Sequence, residues 1–247
     1  MKSSEEQLRN RGKCVKTYVE ELEHLSLEEL YERLEDSVAT TRSAATIKLV
    51  HYFTSATKKQ KQEIADHILV ALAKETSLYT KIELCNLLEL GDSSTAKQMT
   101  AYLGKIGSNQ HKTPPERVSM KVSYPLPRDI IARSLGRMTI RILPILIEVL
   151  EQQDLSACYE ALDAIGFLVF YHREQVQDRG LDEIINLAKQ YPEDDLLAYK
   201  TAMCLSAYTS VKSNEMLEHL RQTSQHKTVC QEAERSLRLH ETSRHCL

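Results

Sequence analysis

Three acidic side chains, Glu83, Glu160 and Asp163, fall at positions of predicted helices that face away from the apolar side. Paired carboxylates can perform general acid–base chemistry, so these residues are the first candidates for catalysis. Acids at exposed helix positions more often serve only to keep a protein soluble. The pattern is therefore compatible with an enzyme but does not indicate one.

Other signatures of catalysis are missing from the sequence. It contains no glycine-rich phosphate loop, no HExxH helix and no nucleophile elbow. The nine histidines are spread singly. The six cysteines form no CxxC pair and lie at positions 14, 85, 158, 204, 230 and 246. We therefore predict no catalytic residue, no metal site and no cofactor.

A basic segment is the most unusual charged feature. Residues 105–141 carry eight Lys or Arg against two acids, whereas the rest of the chain carries 24 against 33. Its first part is predicted to be one long loop, 105–126, and long loops are often functional. The candidate contact residues of this loop and the turn after it are Lys112, Arg117, Lys121 and Arg128.

The helix predicted after this loop places Arg133 and Arg137 one turn apart. A loop and a helix face of one sign could bind the phosphates of a nucleic acid. They could equally bind an acidic protein partner. The third interpretation is that these cations pair with the acidic remainder of the chain, and the sequence leaves all three open.

The composition predicts an all-α protein. Apolar residues make up 42% of the chain, which suits a folded domain, and only 7 Gly and 6 Pro are available for turns. The first residues have no apolar core of a signal peptide, and no apolar stretch approaches the length of a membrane span. We therefore expect a cytoplasmic protein with no membrane segment.

Helix starts and a shared register organise the chain. Capping boxes are predicted at Ser26–Glu29, Thr57–Gln60 and Thr228–Gln231. Every second predicted helix can be aligned on a common position zero, occupied by Arg42, Lys81, Arg128, Cys158, Ala198 and Cys230. Seven residues later stand Leu49, Leu88, Leu135, Ile165, Leu205 and Leu237. The same helix pair therefore recurs, at uneven spacing.

Three segments resemble HEAT repeats. Residues 36–49, with Asp36, Arg42 and an Ala-Ala pair, look like the start of a second HEAT helix. Residues 141–168 are similar to a complete unit, and residues 127–138 are similar to a second helix. The resemblance implies a right-handed α-solenoid of about six antiparallel helix pairs over 26–240. Residues 1–25 would form a capping helix and 241–247 a flexible tail.

In such a solenoid the second helices usually line a concave face. The resemblance therefore implies a scaffold or adaptor that binds a protein or peptide there, with an acidic partner favoured by the basic loop. The candidate residues on that face are Glu83, Asn86, Arg133, Arg137, Tyr159, Glu160, Asp163, Tyr199, Lys200 and Arg235. The alternative is nucleic-acid binding through 105–141.

A third function follows from the resemblance, because some HEAT-like proteins are DNA glycosylases. Such an enzyme needs a buried acid and aromatic side chains to hold a damaged base. Asp163, with Tyr159 and Phe167 nearby in sequence, is the closest match. The chain has no Trp and only three Phe, which counts against this alternative.

Overall fold

The computed structural model describes residues 4–152 and 154–244. Within these residues the protein is all-helical and has no β-strand, which confirms the predicted all-α class. The chain divides after Met99 into two compact units, a division that the predicted single repeat domain over 26–240 did not include. In the same described ranges, no helix is long and apolar enough to cross a lipid bilayer.

The first unit is organised around one long helix. Its helices are α1 (Glu5–Asn10), α2 (Lys16–Glu21), α3 (Leu27–Arg33), α4 (Ala39–Ser55), α5 (Lys58–Lys74), α6 (Leu78–Glu89) and α7 (Ser93–Thr100), the last ending at the boundary. Helix α4 packs against α2, α3, α5 and α6. Leu49 and Phe53, four residues apart on α4, are fully buried, so one face of this helix forms the centre of the unit.

The predicted capping helix over 1–25 is instead the two short helices α1 and α2. The chain breaks at Gly12, whose φ of 85° lies in the left-handed region. A Cβ at this position would overlap the hydroxyl of Thr80 on α6. Both the positive φ and the close approach require glycine, and a continuous helix could satisfy neither.

The second unit contains the remaining helices. They are α8 (Ile130–Arg137), α9 (Leu143–Leu150), α10 (Leu155–Tyr171), α11 (Arg173–Val176), α12 (Leu181–Gln190), α13 (Asp195–Leu205), α14 (Val211–Thr223) and α15 (Lys227–Arg244), with a 3₁₀ turn at Ile140–Ile142. Helix α10 packs against both α8 and α13, and α13 packs against α15. These four helices carry the last four positions of the shared register. Every second helix is therefore in contact with the next across this unit.

Two of the three predicted capping boxes begin helices. Ser26 and Glu29 satisfy each other's backbone N–H groups at the start of α3, and Thr57 and Gln60 do so at the start of α5. The box predicted at Thr228 is wrong, because α15 begins one residue earlier. The backbone N–H of Thr228 lies 3.3 Å from Nδ1 of His226, so a histidine side chain meets the free end of this helix.

The segment between α7 and α8 contains no regular helix. Residues 101–129, all of them described, form turns and extended chain, and the predicted loop at 105–126 lies inside them. At the end of the second unit, residues 241–244 continue α15, where a flexible tail was predicted. Residues 245–247 of that predicted tail lie outside the described residues.

A half-buried arginine pairs with a buried glutamate in the first unit. Arg42 on α4 donates to both carboxylate oxygens of Glu75, at 2.7 and 2.8 Å. Its other contacts include the backbone carbonyl of Asp36 at 2.7 Å. Arg42 thus joins the end of α5 to the start of α4, and the Glu75 side chain, only 2% exposed, depends on it for neutralisation.

Replacing Arg42 by alanine should therefore destabilise the first unit by about 3 kcal/mol, because it leaves a buried carboxylate without its cation. The matched control is Arg33→Ala, which breaks the exposed pair between Arg33 and Asp36 at 3.6 Å. That change should cost about 0.5 kcal/mol or less. Urea denaturation of the two variants tests the difference, and equal losses would contradict the assigned role of Arg42.

Candidate functional site

The second unit buries an ammonium group between two carboxylates. Nζ of Lys200 on α13 lies 2.9 Å from Oε1 of Glu160 and 2.9 Å from Oδ2 of Asp163, both on α10. Each of the three side chains is at most 3% exposed. Glu160 and Asp163 share a helix face because they are three residues apart, and α13 packs against α10. We call these residues the buried charge cluster.

The buried charge cluster has one cation for two acids. Oε2 of Glu160 and Oδ1 of Asp163 are buried and have no hydrogen-bond partner among the described residues. Burial raises the pKa of Glu160 to about 7, and Asp163 adds to this rise while Lys200 opposes it. Burial also raises the pKa of Asp163, again against the effect of Lys200. When both acids are ionised, the cluster carries an excess negative charge.

Lys200 remains the cation of this cluster. Burial acts to lower the pKa of its ammonium group, but Asp163 and Glu160 outweigh that effect, so the pKa is raised. A lysine buried without such partners would lose its proton. The two carboxylates are therefore what allows a charged lysine inside this unit.

The basic loop, which we define as residues 105–128, packs against the same helices. Tyr124 is 3% exposed, and its ring centroid lies 6.2 Å from that of Phe167 and 5.8 Å from that of Phe170. A Cβ on Gly166 would overlap the Tyr124 hydroxyl, so the loop can approach α10 only at a glycine. The buried Tyr124 Oη has no hydrogen-bond partner in the described part of the chain.

A second buried ion pair holds the backbone of the basic loop. Nη1 of Arg235 lies 2.7 Å from Oε1 of Glu232, its neighbour on α15. Nη2 of the same guanidinium donates to the carbonyl of Lys121 at 2.8 Å. Burial raises the pKa of Glu232 to about 7, although Arg235 opposes the shift. The forked donors of Arg235 thus connect α15 to the loop.

A histidine at the other end of the basic loop is neutral at pH 7. The ring of His111 lies edge-on to that of Tyr199 at 6.0 Å between centroids, and its Nε2 is 2.9 Å from Nη1 of Arg128. Burial lowers the pKa of His111 to about 4, with further contributions from the positive charges of Lys200 and Arg128. An unprotonated Nε2 can accept the hydrogen bond that Arg128 offers.

The predicted outward orientation is wrong for five site residues. These residues are each at most 6% exposed, and they are Glu160, Asp163, Tyr199, Lys200 and Arg235. The physical reason is the basic loop, whose Tyr124 packs on α10, whose His111 packs on Tyr199 and whose backbone binds Arg235. Helix periodicity identifies the face opposite the apolar stripe, but it cannot show that a loop covers that face.

The other predicted contact residues remain at least partly accessible. Tyr159 and Arg133 are half-buried, and Arg133 donates from Nε to the carbonyl of Pro127 at 3.0 Å. The exposed cations of the second unit among them are Lys112, Arg117, Lys121, Arg128 and Arg137.

Two of the predicted contact residues lie in the first unit. On α6 the exposed Asn86 donates to the half-buried Glu83 at 3.4 Å. The carboxylate of Glu83 is therefore occupied by its own neighbour. The predicted grouping of Glu83 with Glu160 and Asp163 stays a prediction.

An open groove of about 1150 Å³ lies beside the basic loop. One wall is formed by chain between Gly104 and Pro114, and the other by the chain from Gln190 to Leu196. Tyr159 and Glu160 of α10 also line it, so Glu160 is the member of the buried charge cluster that reaches the groove. This volume is ample for several side chains of a peptide.

The groove is acidic, although the loop beside it is basic. Four carboxylates line it, from Glu160, Glu193, Asp194 and Asp195, against the single ammonium of Lys112. Asp194 caps α13 by accepting from the N–H of Leu197 at 2.9 Å, and it accepts from Tyr159 Oη at 2.5 Å. Asp194 is thus engaged inside the protein, whereas the side chains of Glu193 and Asp195 are exposed.

Two signals for these contacts are present in the sequence. Glu160 and Lys200 occupy the same register position on successive second helices, so opposite charges at equivalent positions indicate a direct pair. Gly166 occupies a small-residue position that we assigned to close helix approach, whereas it accommodates Tyr124. No local pattern marks Tyr124 itself, because its partners lie some 40 residues further along the chain.

Comparisons with known proteins leave the family open. No protein-family model matches the sequence, and no curated protein matches it closely enough to count as a relative. Among solved structures, the crystal structure of an engineered protein from the Northeast Structural Genomics Consortium aligns with 88% of this chain and 99% of its own at 17% identity. Its TM-score is 0.36, which is too low to support a shared fold.

The Tyr124 slot can be tested by two substitutions with opposite expectations. Gly166→Ala should lower the free energy of unfolding by about 1–3 kcal/mol, since the new methyl group would displace the loop. In an ordinary helix the same change is stabilising by about 1 kcal/mol. Tyr124→Phe should leave stability unchanged or raise it by about 1 kcal/mol, because it removes a buried unpaired hydroxyl. Chemical denaturation measures both, and a stabilising Gly166→Ala would rule out the slot.

The raised pKa of Glu160 predicts how stability depends on pH. Its ordinary pKa is 4.5 and its pKa in the folded protein is about 7, so the native state binds this proton more tightly than the unfolded state. Glu160 therefore makes stability fall as pH rises from 4.5 to 7. Glu160→Gln should remove that contribution, and so make the variant gain stability relative to wild type as pH rises through this window.

Urea denaturation of wild type and Glu160→Gln at about pH 5 and about pH 8 measures this difference. Glu232, whose pKa is also about 7, and His111, whose lowered pKa gives the opposite slope between 4 and 6.5, are present in both proteins. Their contributions cancel in the comparison. Parallel pH curves for the two proteins would show that Glu160 titrates normally.

Proposed function

We propose that this chain is a HEAT-like helical-repeat module that binds a segment of a partner protein in the groove of its second unit. The observation that carries the proposal is the open groove of about 1150 Å³ between the basic loop and the start of α13. It offers carboxylates, aromatic rings and backbone groups to an extended chain, and such surfaces on a rigid helical framework are typical of peptide recognition.

The packing of every second helix supports the repeat part of the proposal. In the second unit α8, α10, α13 and α15 follow one another in contact, and these are helices of the shared register. In the first unit α4 and α6 pack in the same relation. A repeat protein builds its binding surface from successive equivalent helices. Here the basic loop covers part of that surface, so the groove is the part left for a partner.

Nucleic-acid binding is the second candidate, favoured by the exposed cations of the basic loop. Lys112, Arg117 and Lys121 are all exposed on this loop. Arg128 and Arg133 are engaged with His111 and Pro127, which weakens the predicted continuous basic face. Retention on a DNA column that falls steeply with salt would favour this candidate over the first.

Glycosylase chemistry has weaker support. Oδ2 of Asp163 is bound to Lys200 in the interior, and the side chain does not line the groove. A catalytic acid must reach its substrate within hydrogen-bond distance. We therefore propose a binding role and not an enzymatic one for this unit.

The proposed function is tested by filling the groove. Ser108 is exposed on the groove wall, so Ser108→Trp adds bulk there without disturbing the core. Ser123 is exposed on the same loop but does not line the groove, so Ser123→Trp is the matched control. We expect affinity capture from the native cell to recover a partner with wild type and the control. Ser108→Trp should lose it by about tenfold or more.

Photo-crosslinking from position 108 in the native cell provides a second measurement of the same contact. A partner that crosslinks from position 108 and not from position 123 supports binding in the groove. A partner captured equally by both tryptophan variants binds elsewhere and contradicts the proposal.

A further inference from the structure

We infer that the groove selects a partner segment with a cationic side chain, lysine or arginine, whose head group lies against Glu160. This inference rests on the proposed function and specifies the chemistry of the segment that binds. It begins from the charge imbalance of the buried charge cluster, where one ammonium of Lys200 faces two carboxylates.

Glu160 presents an unused acceptor at the groove. Its residue surface is 2% exposed, and Oε1 is bound to Lys200, while Oε2 has no partner among the described residues. A buried acceptor without a donor is unfavourable, and it is more so when it carries charge. Asp163 also has an unpaired oxygen, but it does not line the groove. Glu160 is therefore the point at which a ligand could supply the missing positive charge.

The walls of the groove suit the same kind of group. Glu193 and Asp195 are exposed carboxylates at its edge, where they would attract a cation toward Glu160. The rings of Tyr159 and Tyr191 line the groove as well, and aromatic faces attract ammonium and guanidinium groups. The methylene stem of a lysine or arginine can pack on such rings while its head group reaches a carboxylate.

Other ligands fit these observations less well. An acidic segment would meet four carboxylates against one lysine, and it would increase the excess negative charge. The described residues contain no group of three or more His, Cys, Asp or Glu side chains placed to hold a metal ion. A single organic cation on a flexible stem remains, and it needs only one or two acceptors to bind. Thus the groove favours a basic partner, while an acidic partner would suit the exposed cations of the basic loop.

The test uses four synthetic peptides that differ at one position. Each is a capped Gly-Ser heptapeptide with Arg, Lys, citrulline or Glu at its centre, and citrulline keeps the shape of arginine without its charge. Binding to the full-length protein is followed by chemical-shift changes of the amides of Ser108, Tyr159 and Asp195 at millimolar peptide. We expect the Arg and Lys peptides to bind about tenfold or more tightly than the citrulline peptide, and the Glu peptide to bind most weakly.

Three variants identify the acceptor. Glu160→Gln keeps the size of the side chain and should reduce the preference for Arg over citrulline to about twofold or less. Glu232→Gln is the matched control, because Glu232 is equally buried, has a similarly raised pKa and does not line the groove. It should keep the full preference. Glu193→Gln, a change at an exposed position, should reduce the preference partially even if Glu160→Gln fails to fold.

The outcomes separate this inference from the proposed function. Equal binding of the Arg and citrulline peptides, or a full preference in Glu160→Gln, overturns the cationic anchor and leaves groove binding intact. The cationic anchor is also overturned if none of the four peptides shifts the groove amides. Partner capture that is insensitive to Ser108→Trp overturns the proposed function, whatever the peptides do.

Discussion

The ammonium of Lys200, held 2.9 Å from both Glu160 and Asp163, sets the organisation of the second unit. An ion can remain charged in a protein interior only if opposite charges and hydrogen bonds replace its water. Helices α10 and α13 must therefore keep this alignment. Any shift of one along the other would separate the charges while they stay buried, so the pair specifies the register between two neighbouring helices.

The same constraint explains why the basic loop is part of the structure and not a free appendage. A charged cluster on a helix face would be hydrated unless something covered it. The loop provides that cover through Tyr124 in its glycine slot, His111 against Tyr199 and the carbonyl of Lys121 on Arg235. A neutral His111 is compatible with the nearby ammonium, whereas a protonated one would repel it.

Covering the cluster leaves its charge incompletely balanced. Two acids and one lysine are buried together, and the unpaired oxygen of Glu160 belongs to a residue that also lines the groove. Burial and binding are thus linked through a single side chain. The acidic groove lies directly beside a basic loop, so this unit presents opposite charges on adjacent surfaces, and each surface would select a different partner.

Local interactions made much of the fold predictable from the sequence. Composition gave the all-α class, and the boxes at Ser26 and Thr57 marked helix starts because capping involves residues only three apart. The shared register named the helices that prove to be in contact, α4 with α6 and α8 with α10, α13 and α15. The burial of Glu160, Asp163, Lys200 and Arg235 was not predictable in this way. It depends on a loop returning over helices distant in the chain, and helix periodicity contains no information about such a contact. By itself, then, the sequence determined which residues form helices and which helices are equivalent, since those are matters of spacing. Only the tertiary structure decided which polar face is interior and where a groove stays open, because both depend on which distant segments meet.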